Sequence, residues 1–221
     1  MSVDLFQAVN SYCERTDASY WSEPLNAVTN AAFLVAAWLA WRMAARAGDR
    51  AAQVLAAIVG AIGVGSYLFH THAQVWALLA DVIPIQIFIL AYLGVVTARF
   101  FGVPWWGGVA AAVAFVPASA LVARGIESVA GPLNGSTGYM PVPILIALYA
   151  VALRRRAPET AFGMAVGAGL LAVSLVFRTI DEAVCASVPV GTHFLWHLFN
   201  ATMLWWMIRV LVRHGRAAAV A

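Results

Sequence analysis

The stretch GSYLFHTHAQVWALLADVIP, residues 65–84, decides the fold. It is flanked by two long apolar runs, AAQVLAAIVGAIGV before it and IQIFILAYLGVV after it. The short link THAQ between the halves makes the two runs adjacent antiparallel helices. Ser66, His70 and Asp81 therefore fall inside apolar helices, near one end of each. Polar groups are costly there, and an ionisable side chain inside a membrane span needs a partner or a task. A second stretch, HFLWH at 193–197, adds His193 and His197. Their spacing of four puts both on one helix face, and Ser66 and His70 have the same spacing.

Composition extends this reading to the whole chain. Of 221 residues, 63% are hydrophobic and 10% charged, which excludes a soluble domain of this size. A membrane helix needs about 20 mostly apolar residues. Seven segments meet that need, at about 25–47, 51–71, 74–99, 104–123, 139–155, 159–181 and 190–212. The predicted fold is all-α, an integral membrane seven-transmembrane helix bundle forming one polytopic domain over residues 1–221. The fifth segment is the weakest, because Pro141 and Pro143 crowd its start and Arg154 its end. Pro117 predicts a kink in the fourth. Residues 124–138 read as a long outer loop. Residues 1–23 read as an outer, acidic interfacial segment with no positive leader of the cleaved kind. Val3, Phe6, Val9 and Tyr12 recur at helical spacing and predict a short interfacial helix there.

All thirteen basic residues are arginine. Arg42, Arg46, Arg50, Arg99, Arg154, Arg155, Arg156, Arg209, Arg213 and Arg216 cluster at alternate span ends. The positive-inside rule then puts the N-terminus outside and the C-terminus in the cytoplasm. Arginine-, alanine- and valine-rich usage without lysine points to a GC-rich bacterium, hence to its inner membrane. The basic clusters are cytoplasmic loops, so no nucleic-acid partner is expected. In this topology Ser66, His70, Asp81, His193 and His197 all lie toward the outer face. His214 falls on the opposite side, as a surface histidine.

Three neutral imidazoles and one open position describe a catalytic zinc site. His70, His193 and His197 are the predicted ligands, with the neighbouring His72 in reserve. Bound zinc activates water and polarises a carbonyl. Asp81 is the predicted general base and acid. Ser66 supports the water or the developing oxyanion, although a serine in a helix can also bond its own i−4 carbonyl. Trp196, Trp205 and Trp206 read as packing and belt residues. The implied reaction is hydrolysis of a carbonyl compound inside the bilayer, with a lipid substrate.

The motifs resemble one family. GVGSYLFH ends at His70, and Asp81 follows eleven residues later. H-x-x-x-H opens the last span at His193 and His197. YCER carries Cys13 and Glu14, SEPLN carries Glu23 and Asn26, and IDEAVC carries Asp181 and Cys185. In this order they resemble the alkaline ceramidases, seven-span zinc amidases that cleave ceramide into a fatty acid and a sphingoid base. The adiponectin and progestin receptors share that architecture. The resemblance implies a ceramide-like membrane lipid as substrate and a disulfide between Cys13 and Cys185. It also implies a calcium ion in the acidic segment, held by Glu14 and Glu23. Asp17, or an asparagine further on, would replace an aspartate that the family pattern puts near Asn10 or Ser11. Two other classes fit part of the pattern: a lipid sensor on the same fold, and a bis-histidine haem protein. The haem reading leaves Asp81 and Ser66 without a role.

Overall fold

The computed structural model describes residues 4–218, so Val3 lies outside the described residues. Eight α-helices carry the chain: α1 (Pro24–Thr29), α2 (Ala31–Ala47), α3 (Arg50–His72), α4 (Val75–Phe101), α5 (Trp105–Ala130), α6 (Pro141–Leu153), α7 (Pro158–Ile180) and α8 (His193–Ala218). Among the described residues there is no strand, only an antiparallel bridge between Ala8 and Gln74. Six stretches are long and apolar enough to cross a membrane: α1 with α2, then α3, α4, α5, α7 and α8. The chain is a membrane protein built from helices.

The remaining expected span is the 13-residue α6. At about 1.5 Å per residue it reaches roughly 20 Å, short of the ~30 Å hydrocarbon layer. Proline at its first turn fixes where it starts. Before it the chain forms a short 3-10 turn, Leu133–Gly135, rather than more helix. Irregular backbone of this kind is tolerated within a bundle where protein groups satisfy it. Here Arg178 of α7 donates to the carbonyl of Asn134 and, at 3.3 Å, to the Ser136 hydroxyl. The neighbouring α5 is longer than expected. It runs through Pro117 to Ala130, so half of the expected outer loop is helix. Gly131, at φ +78°, ends it.

The helices form a partial ring. α4 packs on α3 and α5 on α4, while α7 packs on α8 and α6 on α7. α2 lies between α3 and α8. α8 is thus the centre, burying Trp196, Met203, Leu204, Met207, Ile208 and Leu211. Contact between α4 and α8 is light.

At the end carrying most of the arginines, Asp49 caps α3. Its carboxylate accepts from the Ala52 amide at 3.1 Å and from both terminal nitrogens of Arg99 at 2.6 and 3.0 Å. Burial works to raise this carboxyl, but the Arg99 pair and the helix amides outweigh it and hold it below the usual range.

At the opposite end the described residues form no interfacial helix of the kind expected. Residues 4–12 are not helical and run across the α3–α4 link. Val9 donates to the Ala73 carbonyl at 2.8 Å, and Val75 and Trp76 donate to Gln7 and Leu5 at 3.1 and 2.9 Å. Backbone groups that a helix would use internally are taken by the link, which outweighs the apolar periodicity. A disulfide between Cys13 and Cys185 then fastens this segment to the chain between α7 and α8.

Asp49→Ala is expected to lower the melting temperature of detergent-purified protein by the equivalent of about 1 kcal/mol at neutral pH. Because the folded carboxyl is held low, its stabilisation is present at neutral pH and lost as pH falls through that lowered value. The gap between wild type and variant should therefore close in acid; a constant gap would show that the carboxylate charge is not what matters. The disulfide closes a separation of 172 residues. Chain entropy alone gives roughly 5 kcal/mol as an upper bound, and a bilayer-restrained chain yields less. Intact-mass analysis without reductant should find no free thiol, and reduction should lower the melting temperature. Two alkylated cysteines under non-reducing denaturation would contradict the bridge.

Candidate metal centre

His70 lies in the last turn of α3, and His193 and His197 lie in the first turns of α8. All three are buried. Their ring centroids are 4.7–5.1 Å apart. Each offers one nitrogen, and these nitrogens lie within 4.8 Å of one another. Nε2 of His70, Nδ1 of His193 and Nε2 of His197 are buried without a hydrogen-bond partner. An unsatisfied buried polar atom is destabilising, and such atoms are rare in a folded protein. Three such histidines with nitrogens this close together fit a bound cation, and an all-imidazole set suits zinc among other divalent transition metals. Among the described residues no second cluster of this kind forms.

Each histidine is fixed by an element distant in sequence. His70 Nδ1 donates to Glu23 Oε2 at 2.6 Å, which leaves Nε2 as the lone pair. The Thr29 hydroxyl spends its single proton on the carbonyls of Leu25 and Asn26. With that proton on a carbonyl, the hydroxyl accepts from His197 Nδ1, 2.9 Å away, in the tautomer that leaves Nε2 of His197 as the lone pair. The Tyr12 ring stacks on His193 with centroids 3.6 Å apart.

Asp181 sets the start of α8. Its Oδ1 accepts from the amides of Thr192 and His193 at 2.6 and 2.9 Å, and its Oδ2 accepts from the Cys13 amide at 3.0 Å. A carboxylate at a helix N-terminus is stabilising. Gly191 makes room for it: at φ +64° a Cβ would run into that carboxylate and into Cys13.

A second glycine brings α3 against α4. A Cβ on Gly65 would strike the Ala80 carbonyl, so only glycine allows the approach. Buried Ser66 then stands beside Asp81, which also feels the charge positions of His70 and Arg178. Thr71, by contrast, bonds back to the Tyr67 carbonyl of its own helix. Arg178 lies over the rings of Tyr139 and Trp196 at 5.4 and 5.8 Å, and its Nη2 reaches the Tyr12 hydroxyl at 3.5 Å. Burial pushes the Tyr12 phenol upward despite that guanidinium.

The acidic residues of the outer segment do separate tasks. Glu14 accepts from the amides of Leu25 and Asn26 at 2.7 and 2.8 Å and so caps α1; burial raises its carboxyl more than those amides lower it. Asp17 is exposed and accepts from the Ser19 amide at 2.8 Å, which lowers it. Burial works to raise the Glu23 carboxyl, but its bonds to His70 and Arg15 prevail and hold it low. His72 is exposed, edge-on to Tyr20 and tilted against Trp76, away from the cluster. His214 lies at the far end, as expected, but is half-buried, with Nδ1 2.9 Å from the Thr160 hydroxyl.

The sequence reading did not single out Thr29, Tyr12, Arg15 or Arg178 for the site. Arg178 had a signal, an arginine inside an apolar span. Asp181 had one too, an acid at a span end beside the cysteine motif. Thr29 had none, because hydroxyls inside apolar helices are common and usually bond their own backbone.

Among curated proteins none matches this chain. The family model described as Ceramidase matches residues 8–217. That range holds the whole cluster: Tyr12, Cys13, Glu23, His70, Asp81, Asp181, His193 and His197. Covering nearly the entire sequence, the match establishes that the chain belongs to the ceramidase family.

Proposed function

We propose that this protein is a zinc-dependent amidohydrolase that cleaves the amide of a ceramide-like lipid into a fatty acid and a sphingoid base. The observation that carries the reading is the set of three buried, unpartnered imidazole nitrogens beside Asp81 and Ser66. His70, His193 and His197 would hold the ion, which when bound supplies a Lewis acid able to activate water at neutral pH. Asp81 takes the proton of the attacking water and returns it to the leaving nitrogen, so that the amine departs neutral. Ser66 donates a hydrogen bond to the oxygen that gains charge as the carbonyl becomes tetrahedral. Glu23 and Thr29 keep the two ring N–H groups pointing away from the ion.

An apolar void supports a lipid substrate. One part is lined by Ile62, Phe88, Tyr139, Trp196, Asn200 and Leu204. A second shares Phe88 and Leu204 with it and reaches Tyr92, Met164 and Met207. From Trp196 to Met207 is about 16 Å along α8, enough for much of an acyl chain. The void lies where α4 and α8 touch lightly. A bis-histidine haem would use two of the three imidazoles and leave the third orphaned.

The same reading takes the protein as one seven-span domain of a bacterial inner membrane. The short α6 is the fifth span, the histidine end faces outward and the C-terminus is cytoplasmic. The support is the arginine-rich opposite end, where Arg99 pairs with Asp49 and Arg156 lies over Phe101.

Elemental analysis of purified protein should find about one zinc per chain, lost in His193→Ala and in His197→Ala. Full retention in both variants would end the ligand assignment. Asp81→Asn should keep the zinc while ceramide hydrolysis falls about 10²–10⁴-fold. Near-normal turnover in that variant would remove Asp81 from proton transfer.

A further inference from the structure

The buried guanidinium of Arg15 sits in a cage of oxygens. Its Nε pairs with Glu23 Oε1. Its Nη1 donates to the carbonyls of Asp17 and Ser19 at 3.1 and 3.4 Å, and its Nη2 donates to the carbonyl of His70 at 2.9 Å. The loop from Glu14 to Glu23 folds round this group, and the Ser22 hydroxyl, which accepts from the amides of Thr16 and Asp17, tightens the turn. A carboxylate and three carbonyls turned inward are the surroundings a metal cation seeks, yet here a side chain of the same loop fills them.

The resemblance implied calcium in this segment. The residues present do not fit it. Calcium takes six to eight oxygens, several of them carboxylate. Glu14 has both oxygens on the amides of α1, and Asp17 is exposed and turned to Ser19. Only Glu23 points into the cage, and there it meets a positive charge already covalently part of the protein.

We propose that Arg15 is the built-in cation of this outer loop, standing where the resemblance would put calcium, and that it is a positioning residue for His70. Glu23 is shared between the two groups. One oxygen holds Arg15 and the other holds Nδ1 of His70 at 2.6 Å. The same guanidinium holds the His70 backbone carbonyl. Arg15 therefore fixes both the ring and the main chain of one histidine of the trio. A carboxylate bonded to the far nitrogen of a metal-binding imidazole sets its tautomer and orientation, and losing such a partner costs about 10–100-fold in metal affinity. Without Arg15 the buried Glu23 would have no guanidinium beside it, and the cage of oxygens would be open to a divalent ion.

The proposal rests on the metal-site reading above, but its first test needs neither zinc nor substrate. The melting temperature of the purified wild-type protein is followed against calcium chloride up to millimolar concentration, beside elemental calcium content. Neither a shift nor bound calcium is expected. Calcium that binds and stabilises the wild type overturns the proposal. The second test compares Arg15→Ala, Arg15→Gln and Arg15→Lys for zinc affinity. Alanine and glutamine should weaken zinc by about 10–100-fold. Lysine, which keeps a cation, should retain most of it, and millimolar calcium should restore part of it in Arg15→Ala. If Arg15→Ala does not fold, the glutamine–lysine pair carries the comparison, since the two are similar in length and differ in charge. Equal zinc affinity in all four proteins, or equal loss in glutamine and lysine, overturns the positioning role. A wild type without zinc would defeat the metal reading while the calcium titration still decides what fills the cage.

Discussion

Three imidazoles with free lone pairs are costly to bury at the end of an apolar bundle, and the groups that hold their other nitrogens set how the chain is arranged around them. Each His70 and His197 ring spends one nitrogen on a protein acceptor, which fixes the tautomer and turns the other nitrogen inward. The acceptors come from residues 23 and 29, the rings from α3 and α8, and the start of α8 from Asp181 at the end of α7. No helix pair alone could supply this. The centre exists because the N-terminal loop is fastened over the α3–α4 link and bridged to the chain before α8. Thr29 and His197 are 168 residues apart in sequence, so the site forms only when both halves of the bundle have met.

The constraint explains two features of the sequence. Gly65 and Gly191 stand where a side chain would separate Ser66 from Asp81 or push Asp181 off the amides of α8. The acidic residues cluster beside the histidines because they hold amides, a guanidinium and an imidazole. Glu14 acts as a helix cap from ten residues before α1 begins, a role usually given to the residue next to the helix.

Most of the span pattern was legible, because runs of about 20 apolar residues leave few alternatives. The histidine trio was legible for a related reason: a polar group in such a run stands out. What the sequence hid depended on partners far along the chain. Val9 and Tyr12 suggested a helix by spacing, but the bonds of Val9 and Gln7 to the α3–α4 link decided otherwise. Residues 124–130 looked like loop, yet nothing before Gly131 breaks the helix. α6 starts late because Arg178 gives the preceding turn its hydrogen bonds, and a pattern of apolar residues cannot reveal that. Nothing in the sequence marks Arg15, since only the folded loop shows its oxygens. The pairing of Cys13 with Cys185 was legible from the family resemblance.

The bundle also separates two kinds of surface that an amphiphilic substrate needs close together. Trp196 sits one residue before His197 and is shared between them. It stacks in line with the His193 ring at 6.5 Å on one side, and on the other it lines the apolar void. Arg178 lies over the same indole and holds the turn that leads to Tyr139, another lining residue. The polar end is therefore joined to the void by side chains already fixed by packing. In the proposed reaction this geometry does positioning work: an acyl chain drawn into the slot between α4 and α8 brings its carbonyl to the histidine end. The light α4–α8 contact is then not a packing fault, because closer packing of α4, α6 and α8 would close the void in which that chain can lie.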